Sequence, residues 1–166
     1  MKPYRVERLA GHDRSQFDCG VAALNGYLRQ QAGQDMRRFS AVCFVLIENS
    51  TETLAGYYTL SAASVDLSNI PIESQKRMPR YPTVPAVRIG RLALDRRFHG
   101  KKLGGVLLID AIRRALAADL GIAVVVVDAK DEAAAAFYEH HSFRPLTEDR
   151  RTWFLPMSQA VNDLLT

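Results

Sequence analysis

Six consecutive apolar residues, Ile122-Ala123-Val124-Val125-Val126-Val127, constrain the fold more than any other stretch of this chain. A strand with one wet face alternates apolar and polar residues. Four valines in a row leave no polar face, so such a strand is covered on both sides. The run is too short for a helix, and β-branched residues favour the pleated state. Its neighbours carry the helical period. Gly104 to Asp119 places Val106, Leu107, Ile109, Ile112 and Leu116 on an apolar face, with Gly121 as its stop. Asp131 to His140 is Ala-rich and begins with an acidic N-cap residue. Ala86 to Leu94 reads as a strand ahead of both. Strand, helix, strand, helix predicts a parallel strand pair joined by a right-handed crossover.

The first half adds antiparallel character. Tyr4 to Leu9 is a first strand, Phe17 to Gly20 a turn, and Val21 to Ala32 a helix with Val21, Leu24, Leu28 and Ala32 in period. Ala41 to Glu48 and Leu54 to Ala63 form a hairpin across Asn49 to Glu52, and Gly56 marks a bulge or a close approach. Ser64 to Pro85, with Pro71, Pro79, Pro82 and Pro85, is a long irregular excursion holding one helical turn around Glu73 to Met78. Short strands at Phe143 to Leu146 and Thr152 to Leu155 precede a last helix that opens at Pro156 and Ser158. The expected class is α/β, a mixed central sheet flanked by helices, in one domain over residues 1–166. A chain of 166 residues buries enough surface to need no disulfide or metal. No apolar run nears the ~20 residues of a membrane span, and no signal-peptide pattern opens the chain, so the expected compartment is the cytoplasm. Cys19 and Cys43 lack metal spacing and read as packing residues. Cys19 as a nucleophile is the weaker alternative, since no His is placed by sequence to activate it.

The net charge is +4, and its distribution is more telling than its size. Arg96, Arg97, Lys101 and Lys102 crowd a loop between the strand ending at Leu94 and the helix starting near Gly104. Gly100, Gly104 and Gly105 let backbone N–H groups approach an anion without a Cβ in the way. The free amides at the helix start add partial positive charge. The loop reads as a metal-free pyrophosphate cradle. It lacks the Gly-Lys-Ser/Thr ending of a P-loop and the glycine spacing of a dinucleotide fold. A strand-to-helix turn that binds nothing is the plain alternative. A second basic set, Lys76, Arg77, Arg80, Arg88 and Arg91, exceeds what one phosphorylated cofactor needs and suits RNA phosphates; a solvated face is its plain alternative.

The cradle and the later stretch Asp128 to Pro145, in this order, resemble the GNAT acetyltransferases. His99-Gly100-Lys101-Lys102-Leu103-Gly104 aligns with that family's Gln/Arg-x-x-Gly-x-Gly/Ala segment, with His99 at the first position and Lys102 in place of the middle glycine. Asp131-x-x-Ala134-x-x-x-Tyr138 aligns with Asn-x-x-Ala-x-x-x-Tyr, with Asp131 for Asn. Phe17 to Gly20 with Leu24-Asn25, Gly56 to Leu60, and Gly90 to Asp95 resemble the GNAT toxins of bacterial toxin–antitoxin pairs, so the resemblance spans residues 4 to 165.

The resemblance implies the GNAT fold and acetyl-CoA as co-substrate, without a metal. It assigns cofactor contacts to Leu92, Ala93, Leu94, Arg97, His99, Gly100, Lys101, Lys102, Leu103, Gly104, Gly105, Asp131, Ala134 and Phe137. A backbone N–H of the Arg91 to Leu94 strand would stabilise the oxyanion, and Tyr138 would be the general acid for the leaving thiolate. The implied substrate is the α-amine of aminoacyl-tRNA, whose acetylation blocks translation. An ester's α-amine is acidic enough to be largely neutral, so no strong base is needed. His140 and His141 read as a surface pair. The implied partners are a ribbon–helix–helix antitoxin and a second copy in a homodimer, with no membrane. Two alternatives stay open: transfer to a protein N-terminus, a lysine or a small-molecule amine, and a CoA- or RNA-binding module without catalysis.

Overall fold

A computed structural model describes residues 2–166. Among the described residues seven strands hydrogen-bond in the order β1-β2-β3-β4-β5-β7-β6: β1 Tyr4–Arg8, β2 Val42–Glu48, β3 Thr53–Asp66, β4 Thr83–Leu94, β5 Val124–Asp128, β6 Arg144–Pro145 and β7 Thr152–Pro156. The helices are α1 Ala22–Gly26, α2 Ala32–Arg37, α3 Ile72–Gln75, α4 Leu103–Ala117, α5 Glu132–His140 and α6 Met157–Asp163. The chain forms two compact units, one of Met1–Ser61 with Gly90–Ala111 and one of Ala62–Ile89 with Ile112–Thr166.

In the first unit β1, β2 and β3 are antiparallel, as the hairpin pattern predicts. Leu46 faces Gly56 but Ile47 faces Leu54, so Ala55 is an extra residue in β3. The Ala55 carbonyl accepts the Asp95 N–H at 2.8 Å. Gly56 is also a close approach. A Cβ there would lie 2.8 Å from the Ala93 carbonyl oxygen and 2.8 Å from Leu94 Cδ2. The predicted helix over Val21 to Ala32 is observed in three pieces and runs further. α1 passes into a wide turn at Tyr27–Gln31, in which the Ala32 N–H reaches back five residues to Tyr27 O, and continues as α2. The core of this unit joins Leu9, Phe17, Cys19, Leu28, Cys43, Val45, Tyr57 and Ala93. Both cysteines are buried and free, and burial pushes the Cys43 thiol up to about 12.

In the second unit Ala86–Ile89 pairs in parallel with Val124–Val127, as the strand-helix-strand order requires. Val124 to Val127 are all fully buried, which confirms a strand covered on both faces. β7 closes antiparallel on the other edge of β5, and β6 pairs with β7. The excursion is shorter and better ordered than its prolines suggest. β3 extends to Asp66 and β4 begins at Thr83, so strand pairing absorbs both ends of Ser64 to Pro85. Pro85 sits just outside the parallel register, where it owes no N–H, and its carbonyl accepts from Ala123. Ile70 and Met78 anchor the segment in a core with Val84, Val124, Val126 and Phe154. Gly121 does not stop α4. The helix ends at Ala117, and Asp119, at φ 57°, takes the left-handed position.

Candidate active site

In the first unit the loop after β4 is built on one buried carboxylate. Asp95 is 1% exposed. Its oxygens accept the N–H groups of Arg97 at 2.9 Å and Asp18 at 3.1 Å, and the Arg97 guanidinium closes on it at 2.9 and 3.0 Å. Burial alone would raise this carboxyl. The donors from Arg97 and Asp18 outweigh it and hold the group below its ordinary range. Asp95 thus caps the short 3-10 turn Arg96–Phe98 and ties it to the Phe17–Gly20 turn. That turn is held in its own right by Asn25, which accepts from Cys19 N at 2.9 Å and donates to Asp18 at 3.0 Å.

Beyond the turn the backbone takes the left-handed region twice, at Gly100 (φ 78°) and at Lys102 (φ 60°). Lys102 stands at the middle-glycine position of the motif that the loop resembles, and its positive φ is a physical reason for a glycine there. A non-glycine residue in this region costs about 1–2 kcal/mol, and the looser unfolded state of glycine offsets part of that gain. Lys102→Gly is therefore expected to stabilise the protein by roughly 0.5–1 kcal/mol in thermal unfolding. α4 then starts at Leu103 with no acidic residue in its first turn. Lys101 and Lys102 are exposed, and among the described residues neither has a carboxylate within 4.0 Å. The Lys101 ammonium stands 5.2 Å from the centre of the buried Phe98 ring. Positive φ, free cations and an open helix start together fit a diphosphate oxyanion, the group by which acetyl-CoA would be gripped. His99 is turned inward at one nitrogen: its Nε2–H donates to the Leu94 carbonyl at 2.8 Å. Upstream, the Arg91 N–H donates to Thr59 Oγ1 at 3.1 Å, and the Arg91 guanidinium carbon lies 3.6 Å from the centre of the Tyr27 ring.

In the second unit Asp131 caps α5, accepting the Ala134 N–H at 2.8 Å from an extended backbone. The helix delivers Phe137 and Tyr138 near its end. Tyr138 is 7% exposed, packed edge-on to Phe137 (5.2 Å between centres) and tilted against Phe143 (5.5 Å). Burial, then the negative charge of Asp128, pushes its phenol up to about 12. No hydrogen bond among the described residues uses that hydroxyl. His140 is exposed, and His141 packs on Phe137 at 4.6 Å. Ser142, at φ 74°, makes the turn that brings the Phe143 N–H onto Tyr138 O.

The basic set divides. Lys76, Arg77 and Arg80 are exposed on the segment between α3 and β4. Arg88 is paired with Asp128 at 2.8 Å, and Asp128 also accepts from Thr152. Sequence reasoning assigned no role to Asp95, Asp128 or Tyr27. Asp95 closes the Gly90 to Asp95 run, so its place after a strand was a usable signal. Tyr27 and Asp128 carried none. Among the described residues no group of three His, Cys, Asp or Glu side chains is placed to hold a metal, and no helix is long and apolar enough to cross a membrane.

Comparison with known proteins accords with this geometry. The profile of the acetyltransferase (GNAT) family matches residues 10–143. A tRNA-acetylating toxin of Mycobacterium tuberculosis is 34% identical over 150 residues, covering 89% of this chain and 88% of its own. The structure of AtaT complexed with acetyl-methionyl-tRNAfMet superposes with a TM-score of 0.88 at 31% identity, over 98% of this chain and 99% of that one. A mutant AtaT toxin bound to the C-terminus of the antitoxin AtaR and acetyl-CoA gives a TM-score of 0.81 at 27% identity, over 97% and 98%. The chain belongs to the acetyltransferase (GNAT) family.

Proposed function

We propose that this enzyme is a toxin that transfers the acetyl group of acetyl-CoA to the α-amine of aminoacyl-tRNA and so halts translation. The observation that carries the chemistry is Tyr138: a buried phenol, protonated across the physiological range, whose hydroxyl is not spent on another protein group. Acetyl-CoA supplies the activated thioester. The α4 N-terminus with Gly100, Lys101, Lys102, Leu103, Gly104 and Gly105 would hold its diphosphate. Arg97 would contribute the part of its guanidinium not engaged by Asp95, and His99 its outer nitrogen. Asp131, Ala134 and Phe137 would line the pantetheine path.

The oxyanion donor would come from Leu92, Ala93 or Leu94. The flanking amides of Arg91 and Asp95 are already bound to Thr59 and Ala55. Tyr138 would give its proton to the departing thiolate, and the α-amine would attack in its neutral form without a dedicated base. The exposed Lys76, Arg77 and Arg80, with Arg91 and the part of the Arg88 guanidinium not engaged by Asp128, would meet RNA phosphates. The likeness to AtaT bound to acetyl-methionyl-tRNAfMet supports the substrate class. The likeness to a toxin carrying the AtaR C-terminus supports an antitoxin partner, which we assign to the ribbon–helix–helix class. We read residues 1–166 as one acetyltransferase domain, homodimeric and cytoplasmic.

Labelled acetyl-CoA incubated with total charged tRNA is expected to give acetyl-aminoacyl-tRNA, identified by its aminoacyl group after RNase digestion. Transfer only to peptide N-termini, lysines, polyamines or aminoglycosides overturns the substrate. Tight RNA binding with no transfer to any amine overturns the enzyme.

A further inference from the structure

Arg91 is half-buried and has no carboxylate within 4.0 Å among the described residues. A cation in that setting normally finds an ion pair, because its desolvation is costly. Asp35 is near enough for the Arg91 charge to help hold its carboxyl down. Yet an aromatic ring lies between the two. The guanidinium sits on the face of Tyr27, and the Tyr27 hydroxyl donates to Asp35 at 2.7 Å. Gln31 donates to the same carboxylate at 3.0 Å. The Tyr27 ring is in turn stacked on Tyr57, 6.3 Å between centres and 15° apart, and Tyr57 donates to Leu24 O at 2.7 Å. Tyr27 opens the wide turn between α1 and α2, a helix irregularity that recurs at functional sites.

The backbone end of Arg91 is fixed as well, through Thr59. Gly90 is what allows it, since a Cβ there would come within 2.9 Å of the Thr59 hydroxyl. A guanidinium has two kinds of surface. Its flat face stacks on a ring, and its N–H donors point outward in the plane. An ion pair would consume the donors. A ring consumes only the face, and the polarised phenol of Tyr27 makes that face more electron-rich. The arrangement anchors a cation and leaves its donors unspent.

We propose that Tyr27, backed by Asp35, is a positioning residue that holds the Arg91 guanidinium on its ring so that the in-plane N–H groups receive a phosphate oxygen of the RNA substrate. The inference rests on the aminoacyl-tRNA reading given above.

The test compares two amines, charged tRNA and 3′-aminoacyl-adenosine, which lacks a phosphate. Tyr27→Leu is expected to raise KM for charged tRNA about tenfold with kcat within about twofold, the mark of a lost binding contact. Tyr27→Phe keeps the ring and recovers most of that loss, and Asp35→Ala falls between. For the aminoacyl-nucleoside the same variants keep KM within about twofold of the wild type. Equal losses on both amines mean a merely structural role and overturn the proposal. A binding measurement stands apart from catalysis. The salt dependence of affinity for deacylated tRNA is expected to fall by roughly 0.7–0.9 in slope in both Arg91→Gln and Tyr27→Leu. If the wild type acetylates neither amine, the aminoacyl-tRNA reading falls and this slope alone decides. An unchanged slope overturns the role given to Tyr27. Should Tyr27→Leu fail to fold, Asp35→Ala and Arg91→Gln carry both measurements.

Discussion

Tyr138→Phe lowers kcat by about 10²–10⁴-fold, the usual loss of a positioned general acid, while acetyl-CoA affinity and the melting temperature stay near the wild type. The ring contacts with Phe137 and Phe143 survive the change. The hydroxyl that is lost has no hydrogen bond to the described residues, so no buried partner is orphaned. Single-turnover transfer and a titration of acetyl-CoA binding check the two halves separately. A variant that turns over like the wild type removes Tyr138 from the mechanism. The pH dependence follows from the raised phenol. Burial and Asp128 hold it near 12, so the acid stays protonated and imposes no alkaline limb on kcat below roughly pH 10. The same shift affects stability. The folded state binds this proton more tightly than the unfolded state, so its contribution is complete below the ordinary phenol value of about 10 and is lost as pH rises from there toward 12. Asp128→Asn removes one of the two causes and is expected to bring the phenol down.

Asp95→Asn is the substitution expected to cost the most stability, about 2–4 kcal/mol, because it turns an amide NH2 toward donors that a buried carboxylate now accepts. In a chain of this size that lowers the melting temperature by roughly 5–15 °C. The side chain is almost fully buried and receives two backbone amides and one guanidinium, so its oxygens cannot all be replaced. Arg97→Gln costs much less, since its half-exposed guanidinium is screened by water. The sign with pH is the reverse of that for Tyr138. The Asp95 carboxyl is held below its ordinary range, so its contribution is fully present above about pH 4 and is lost as pH falls through the depressed folded value. Denaturant melts of the two proteins are expected to differ most near neutral pH and to converge in acid. Because Asp95 organises the turn before the proposed cradle, the variant is also expected to weaken acetyl-CoA binding. An unaltered melt and unaltered binding would show that Asp95 is not the keystone of this loop.

The strands and helices that carry a strong local period were legible in the chain itself. The valine run became the fully buried part of β5, Asp131 became the cap of α5, and Gly56 became a close approach next to the bulge at Ala55. What eluded the sequence was set by partners far away in it. Ser64 to Asp66 and Thr83 to Pro85 look like loop until β3 and β4 lie side by side. The wide turn at Tyr27–Gln31 has no residue signature, and the Tyr27 ring that opens it meets Arg91, far away in the chain.

By itself the sequence determined the fold class and the family, since periodicity and an ordered set of motifs are local properties of a chain. The tertiary structure alone decided which charges are spent and which are free. It pairs Arg97 with Asp95 and Arg88 with Asp128, yet leaves Arg91 on the face of an aromatic ring. All three are arginines of the same formal charge. They differ in what burial and folding bring within a few ångströms of them, and electrostatic energy depends on distance and solvation rather than on residue type.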